Sequence, residues 1–178
     1  MLNLNVPKVR LKPQEGEKWA SVSVIVYDKT DELLLIKRTE NPKDPWSGNI
    51  AMPGGHYEKT DADLLETAIR ETYEEVGIKL SYESFVGVLN YGFPSNLTEI
   101  KVLPHVFFVD EKAEVRPNKS EVLYAFWLPL REKLEIVPYS MGSFYKGWAI
   151  KYKDEIIWGL TYRIIKDLLN KANIIDLP

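Results

Sequence analysis

The stretch PGGHYEKTDADLLETAIRETYEEVGI, residues 53–78, decides how the chain is read. Two glycines open it and Gly77 nearly closes it. Between them stand Glu58, Asp61, Asp63, Glu66, Glu71, Glu74 and Glu75. Leu65, Ala68, Ile69, Thr72 and Val76 recur at spacings of three and four, the apolar stripe of an amphipathic helix. Thr60 or Asp61 can cap its start, the early acids suit the positive end of the helix dipole, and Gly77 supplies the stop. On a wheel of roughly 100° per residue, Glu71, Glu74 and Glu75 share one arc beside the stripe. Arg70 lies at the edge of that arc, four residues before Glu74, close enough to pair with it.

Like charges crowded on one helix repel mildly. Two readings compete: a solvated face, which charge runs commonly are, or a set of oxygen ligands for Mg²⁺ or Mn²⁺. The glycines upstream favour the second, because a residue without Cβ lets its backbone approach a metal or a phosphate. A divalent cation held there would serve phosphate chemistry.

Outward from this helix the chain reads as strands. Residues 19–28 and 32–38 are β-rich runs separated by KTD, a hairpin. TENPKDPWSGN (39–49) carries two prolines and a glycine and reads as a surface loop, followed by a short strand IAM (50–52). Residues 84–93, 101–110 and 121–130 are further strands, and GWAIKY (147–152) a shorter one. From 160 to 172 the period changes to that of an amphipathic helix. Strands interrupted by one central and one terminal helix predict a mixed sheet with helices on both faces. The 178 residues suit a single domain, with residues 1–18 a lead-in segment poor in apolar periodicity. A net charge of −3 argues against a nucleic-acid polymer as partner. The absence of cysteine removes thiolate chemistry and Cys-ligated zinc. No apolar run is long enough for a signal peptide or a membrane span, so a cytoplasmic protein without membrane contact is expected.

These residues resemble the Nudix box, Gly-x5-Glu-x7-Arg-Glu-U-x-Glu-Glu-x-Gly-U, with U a bulky aliphatic residue. Its second half stands as residues 70–78, RETYEEVGI, with Thr72 departing at the first U. Gly55 lies one residue too far from Arg70, and Ala62 occupies the place of the first Glu. That longer loop, with Asp61 and Asp63, is similar to the coenzyme A pyrophosphatase branch of the family. So are WSGNIAMPGG (46–55), NKSEVLYAFWLPL (118–130) and IIWGLTYRII (156–165), although Asp44 stands where that branch carries an Arg. The resemblance implies an α/β/α sandwich with a mixed central sheet. It also implies Mg²⁺- or Mn²⁺-dependent hydrolysis of a nucleoside diphosphate derivative, best matched by coenzyme A or acyl-coenzyme A. ADP-ribose or a nucleoside triphosphate is the alternative substrate, and a catalytically silent nucleotide-binding module the alternative class. Carried onto this chain, Glu71, Glu74, Glu75 and the Gly55 carbonyl would hold metal, and Arg70 would fix one of the acids. Glu71 is the favoured general base and Glu121 the outside candidate, with a structural salt bridge as its plainer role. The family also admits a homodimer.

Several other residues carry weaker expectations. Arg38, beside Lys37 at the end of the second strand, is a candidate phosphate contact, with a plain surface cation the alternative. His56 is a candidate substrate contact next to Gly55. His105 is expected to be packed, and Trp158 to be buried against the sheet. Trp46 and residues 91–93 could stack a base or simply pack.

Overall fold

The computed structural model describes residues 1–43 and 47–178, so the expectations for Asp44 and Trp46 fall outside the described residues. Strands β1 (Trp19–Tyr27) and β2 (Glu32–Arg38) form the expected hairpin. They pair only near its turn, at Val26 with Leu33 and Tyr27 with Glu32. Beyond that point they splay. The short strands β3 (Ile50–Ala51) and β4 (Gly54–His56) fill the gap, β3 against β2 and β4 against β1. The far edge of β1 takes β6 (Lys101–Val109) in parallel, and β5 (Phe85–Val88) continues antiparallel to β6. The far edge of β2 takes β7 (Val122–Pro129), completing a mixed seven-stranded sheet.

The run LLLI in β2 is apolar on both faces because both are covered. Leu33 and Leu35 join Val24 and Val26 under helix α2 (Gly159–Lys171), whose Ile164, Ile165, Leu168 and Leu169 complete that layer. Leu34 and Ile36 join Ile25 under helix α1 (Leu64–Val76), with Leu64, Leu65, Ala68 and Val76. The predicted α/β/α sandwich is the fold.

A second sheet was legible only in part. Strands β8 (Glu135–Met141), β9 (Tyr145–Tyr152) and β10 (Glu155–Ile157) form an antiparallel meander, of which the sequence suggested only the middle strand. Pro138 lies within β8, and the strand mixes exposed and half-buried residues without a clean alternation. Lys37 Nζ ties this meander to the main sheet by pairing with Glu155 Oε2 at 3.0 Å.

Residues 1–18 are more than a lead-in. They form neither helix nor strand, yet Leu2 is buried in the α2-side core and Leu11 packs in the α1-side core. Arg10 Nε reaches Asp63 at 2.7 Å, and the Leu11 carbonyl accepts from the Leu64 amide at 2.9 Å. Both contacts pin the start of α1. Among the described residues no helix is long and apolar enough to cross a membrane.

Candidate active site

Helix α1 begins two or three residues later than the sequence suggested. Asp63, not Thr60 or Asp61, is its cap: the Asp63 carboxylate accepts from the Glu66 amide at 3.0 Å, and Glu66 Oε2 accepts from the Ala62 amide at 2.6 Å. The two bonds satisfy the amides on either side of the cap, a variant of the capping box in which Glu66 reaches the residue before the cap. At the other end Gly77 adopts φ 72°, and its N–H returns to the Tyr73 carbonyl, as expected.

Asp61 is thereby free for another task, one that sequence reasoning missed. Its carboxylate is 4% exposed and grips Arg70 with two bonds, Nε at 2.8 Å and Nη2 at 2.9 Å. The Thr67 hydroxyl and the Glu58 amide donate to it at 2.8 and 3.1 Å. Burial alone would raise the Asp61 carboxyl, but Arg70, the Glu58 amide and Thr67 together outweigh it and hold the group below the usual carboxylate range. The longer loop therefore turns Asp61 inward to the arginine and leaves Ala62 exposed. The available signal was the spacing Gly55-x5-Asp61, which keeps the acid at the box's distance from the glycine.

Held by Asp61, the Arg70 guanidinium lies between two of the acids. Nη1 donates to Glu71 Oε1 at 2.8 Å and to both Glu74 oxygens at 3.3 Å. Glu75 lies on the other side of this array, 3% exposed, and Glu75 Oε1 accepts from the Gly54 amide at 2.8 Å. Burial pushes the Glu75 carboxyl up to about 8, against the Gly54 amide and the charge of Arg38, with Glu71 and Glu121 adding to the rise. Glu71 is raised as well, chiefly by burial and against the pull of Arg70.

The two glycines are dictated by close approach. A Cβ on Gly54 would lie 2.7 Å from Val22 Cα, and one on Gly55 would lie 2.6 and 2.7 Å from the Glu71 carboxylate oxygens. Strand β4 thus presses against both β1 and the acidic helix, placing Gly55 under Glu71. Thr72, the departure from an aliphatic residue, has a partner too. Its hydroxyl donates to Ser23 Oγ at 2.7 Å, and Ser23 Oγ donates to the Ala68 carbonyl at 3.2 Å. A polar side chain on β1 therefore accounts for a polar residue on the buried face of the helix.

Gly55 opens on a cavity of about 160 Å³ between the sheet and α2. Arg38, Gly54, Gly55 and His56 line one part of it; Val22, Met52, Val102 and Ile164 form apolar walls; Trp158 to Thr161 line it from the start of α2. Arg38 and His56 thus share one cavity with Gly55. Glu121, in the turn before β7, adds negative potential at Glu71 and Glu75, and among the described residues no cation forms an ion pair with it. His105 is fully buried, as expected, with Nδ1 2.8 Å from Ser21 Oγ, and burial pushes its imidazole down to about 4. Tyr91 and Phe93 pack edge-on, ring centroids 5.9 Å apart, and neither lines the cavity. Trp158 departs from expectation: it is half-buried and faces the cavity instead of sealing against the sheet.

Among the described residues no three acidic or imidazole groups are drawn close enough to cage a cation; Arg70 and the Gly54 amide hold the carboxylates instead. The donor set still fits a hard divalent ion, since Glu75 is buried with no ion pair among the described residues and Glu71 and Glu121 add like charge beside it. Acidic oxygens beside a glycine floor and an open cavity suit the hydrolysis of a phosphate compound.

Known proteins narrow that class. The chain matches the NUDIX domain over residues 17–146. It is 32% identical over 169 residues to the uncharacterized Nudix hydrolase NudL of Pectobacterium atrosepticum, covering 89% of this chain and 84% of that one. In fold it is similar to a MutT/nudix family protein from Enterococcus faecalis, with a TM-score of 0.66 at 17% identity, over 93% of this chain and 65% of that one. A bifunctional NMN adenylyltransferase/ADP ribose pyrophosphatase of Francisella tularensis, complexed with AMP and a manganese ion, shares the fold with a TM-score of 0.59 at 19% identity, over 90% of this chain and 43% of that one. The chain belongs to the Nudix hydrolase family and is a pyrophosphohydrolase of nucleotide derivatives.

Proposed function

We propose that the protein hydrolyses the pyrophosphate bond of coenzyme A or an acyl-coenzyme A, releasing 3′,5′-ADP and a 4′-phosphopantetheine. The observation that carries this reading is a convergence. Stretches far apart in the sequence, each similar to the coenzyme A pyrophosphatase branch, meet at one place: Met52, Gly54 and Gly55 line the same cavity as Trp158, Gly159 and Thr161. The Asn118 amide donates to the Glu75 carbonyl at 2.8 Å, which brings the third stretch to the acidic helix.

Glu71, Glu74, Glu75 and the Gly55 carbonyl would hold Mg²⁺ or Mn²⁺. A divalent cation there supplies charge for the diphosphate oxygens and acidifies the attacking water. The chain's own residues do the remainder. Glu71, seated over Gly55, accepts the proton as the water oxygen bonds to one phosphorus. The bond from that phosphorus to the bridging oxygen breaks, leaving two phosphate monoesters. Asp61 holds Arg70, and Arg70 holds Glu71 and Glu74 in place, so the base is oriented before substrate arrives. Arg38 faces the same cavity and would contact a phosphate.

A panel of coenzyme A, ADP-ribose, dinucleotides and nucleoside triphosphates, with Mg²⁺ or Mn²⁺ and a Glu74→Gln control, tests the reading. Preferred cleavage of coenzyme A is expected. Preference for ADP-ribose or a triphosphate moves the substrate and keeps the chemistry. Thermal stabilisation by nucleotide without any turnover would point to a silent binding module.

A further inference from the structure

Three aromatic residues of the β8–β9 hairpin converge on one side chain of the cavity. Trp158 lies 5.0 Å from Tyr145, 5.8 Å from Tyr139 and 6.3 Å from Phe144, centroid to centroid. The interplanar angles are 52°, 43° and 42°, so all three rings lean against the indole without stacking on it. Tyr152, at the far end of β9, instead stacks in parallel on Phe126 at 15°. The bracing is itself supported. The Tyr145 hydroxyl donates to the Trp148 carbonyl at 2.6 Å, and a Cβ on Gly147 would stand only 3.0 Å from that hydroxyl.

Trp158 is therefore fixed in orientation, half-buried, and turned to the cavity that begins at Gly55. Among the described residues nothing accepts a hydrogen bond from its indole N–H. A braced, half-buried indole lining a largely apolar cavity is a surface on which a planar heteroaromatic ring can stack, and an indole offers the largest such surface among side chains. Trp158 also lies beyond residue 146, where the match to the NUDIX domain ends. It stands in IIWGLTYRII (156–165), one of the stretches similar to the coenzyme A pyrophosphatase branch.

We infer that Trp158 is a specificity-determining residue, the surface on which the substrate's nucleobase stacks while its diphosphate lies over Gly55 and Glu71. The assignment rests on the proposed reading of the site as a nucleotide pyrophosphohydrolase. It makes the β8–β9 hairpin a brace for substrate selection, and it requires a base-bearing substrate.

The test uses the whole chain labelled with 5-fluorotryptophan, with the Trp158 resonance among the five tryptophans assigned through Trp158→Phe. AMP is expected to shift that resonance, and ribose 5-phosphate, which lacks the base, to leave it in place. In turnover, Trp158→Leu should raise KM for the preferred nucleotide substrate about tenfold while kcat stays within about twofold, and Trp158→Phe should restore most of the loss. Equal shifts with both ligands, no shift with AMP, or an unchanged KM in Trp158→Leu would overturn the assignment. The fluorine measurement on wild-type protein stands even if the leucine variant fails to fold. An absence of turnover on every diphosphate, with the AMP shift intact, would instead refute the proposed function.

Discussion

Asp61→Asn is the substitution that most sharply separates this site from its sequence pattern. The Asp61 side chain is 3% exposed and its partner Arg70 23% exposed. Asparagine keeps the shape, removes the charge, and replaces one acceptor by a donor facing either the guanidinium or the Thr67 and Glu58 donors. Breaking a buried pair costs about 3–5 kcal/mol, and the partial exposure of Arg70 places this one near the lower end, at about 3 kcal/mol. For a chain of this length that lowers Tm by about 6–12 °C. Urea unfolding of Asp61→Asn, Arg70→Gln and the double variant should give a coupling of about 2 kcal/mol, because each single change strands the other partner and the double change strands neither. Activity should fall about 10–100-fold in Asp61→Asn, since an unanchored Arg70 no longer fixes Glu71 and Glu74. A loss below about 0.5 kcal/mol with unchanged kcat would refute the role assigned to Asp61.

Gly55→Ala should leave the fold intact by circular dichroism and lower kcat more than about 100-fold, because its Cβ would displace the Glu71 carboxylate. His105 carries a pH dependence whose sign is fixed: its folded value near 4 lies below an unfolded value of about 6.5, so the unfolded chain binds the extra proton and stability falls as pH drops from 6.5 to 4. That loss amounts to about 3 kcal/mol in metal-free protein. Glu75 acts in the opposite direction, its raised carboxyl favouring the fold as pH falls, so the difference between wild type and His105→Phe in urea at several pH values isolates the histidine. Thr72→Val should cost about 1 kcal/mol alone and less in a Ser23→Ala background, where the Ser23 hydroxyl it bonds is already gone.

Much of the fold was legible because its signals are local. The hairpin, the strands under both helices and the 3.6-residue stripe each declare themselves within about ten residues. The β8–β10 meander was legible only in its middle strand, since β8 is partly exposed and carries Pro138, β10 is three residues long, and the sheet gains order by packing against α2 and β3. The acids of the site were legible from their spacing on one helix. Their supports were not. Asp61 and Asp63 differ by two residues and carry the same side chain, yet one grips Arg70 and the other caps the helix. That division depends on where the backbone turns after Tyr57, which no periodicity reports. Thr72 looked like a blemish in a motif until Ser23, from a strand almost fifty residues away, was seen opposite it. Trp158 had the composition of a core residue, and only the three-dimensional meeting of the hairpin and α2 turned it to the cavity.

The central claim, a cation-dependent attack of water on a diphosphate served by Glu71, is tested most directly by product mass in ¹⁸O-labelled water. Coenzyme A incubated with the protein and Mg²⁺ should yield 3′,5′-ADP and 4′-phosphopantetheine, with one ¹⁸O in one of the two, and Glu71→Gln should abolish the reaction. Unlabelled products, or a Glu71→Gln variant as fast as wild type, would contradict the account.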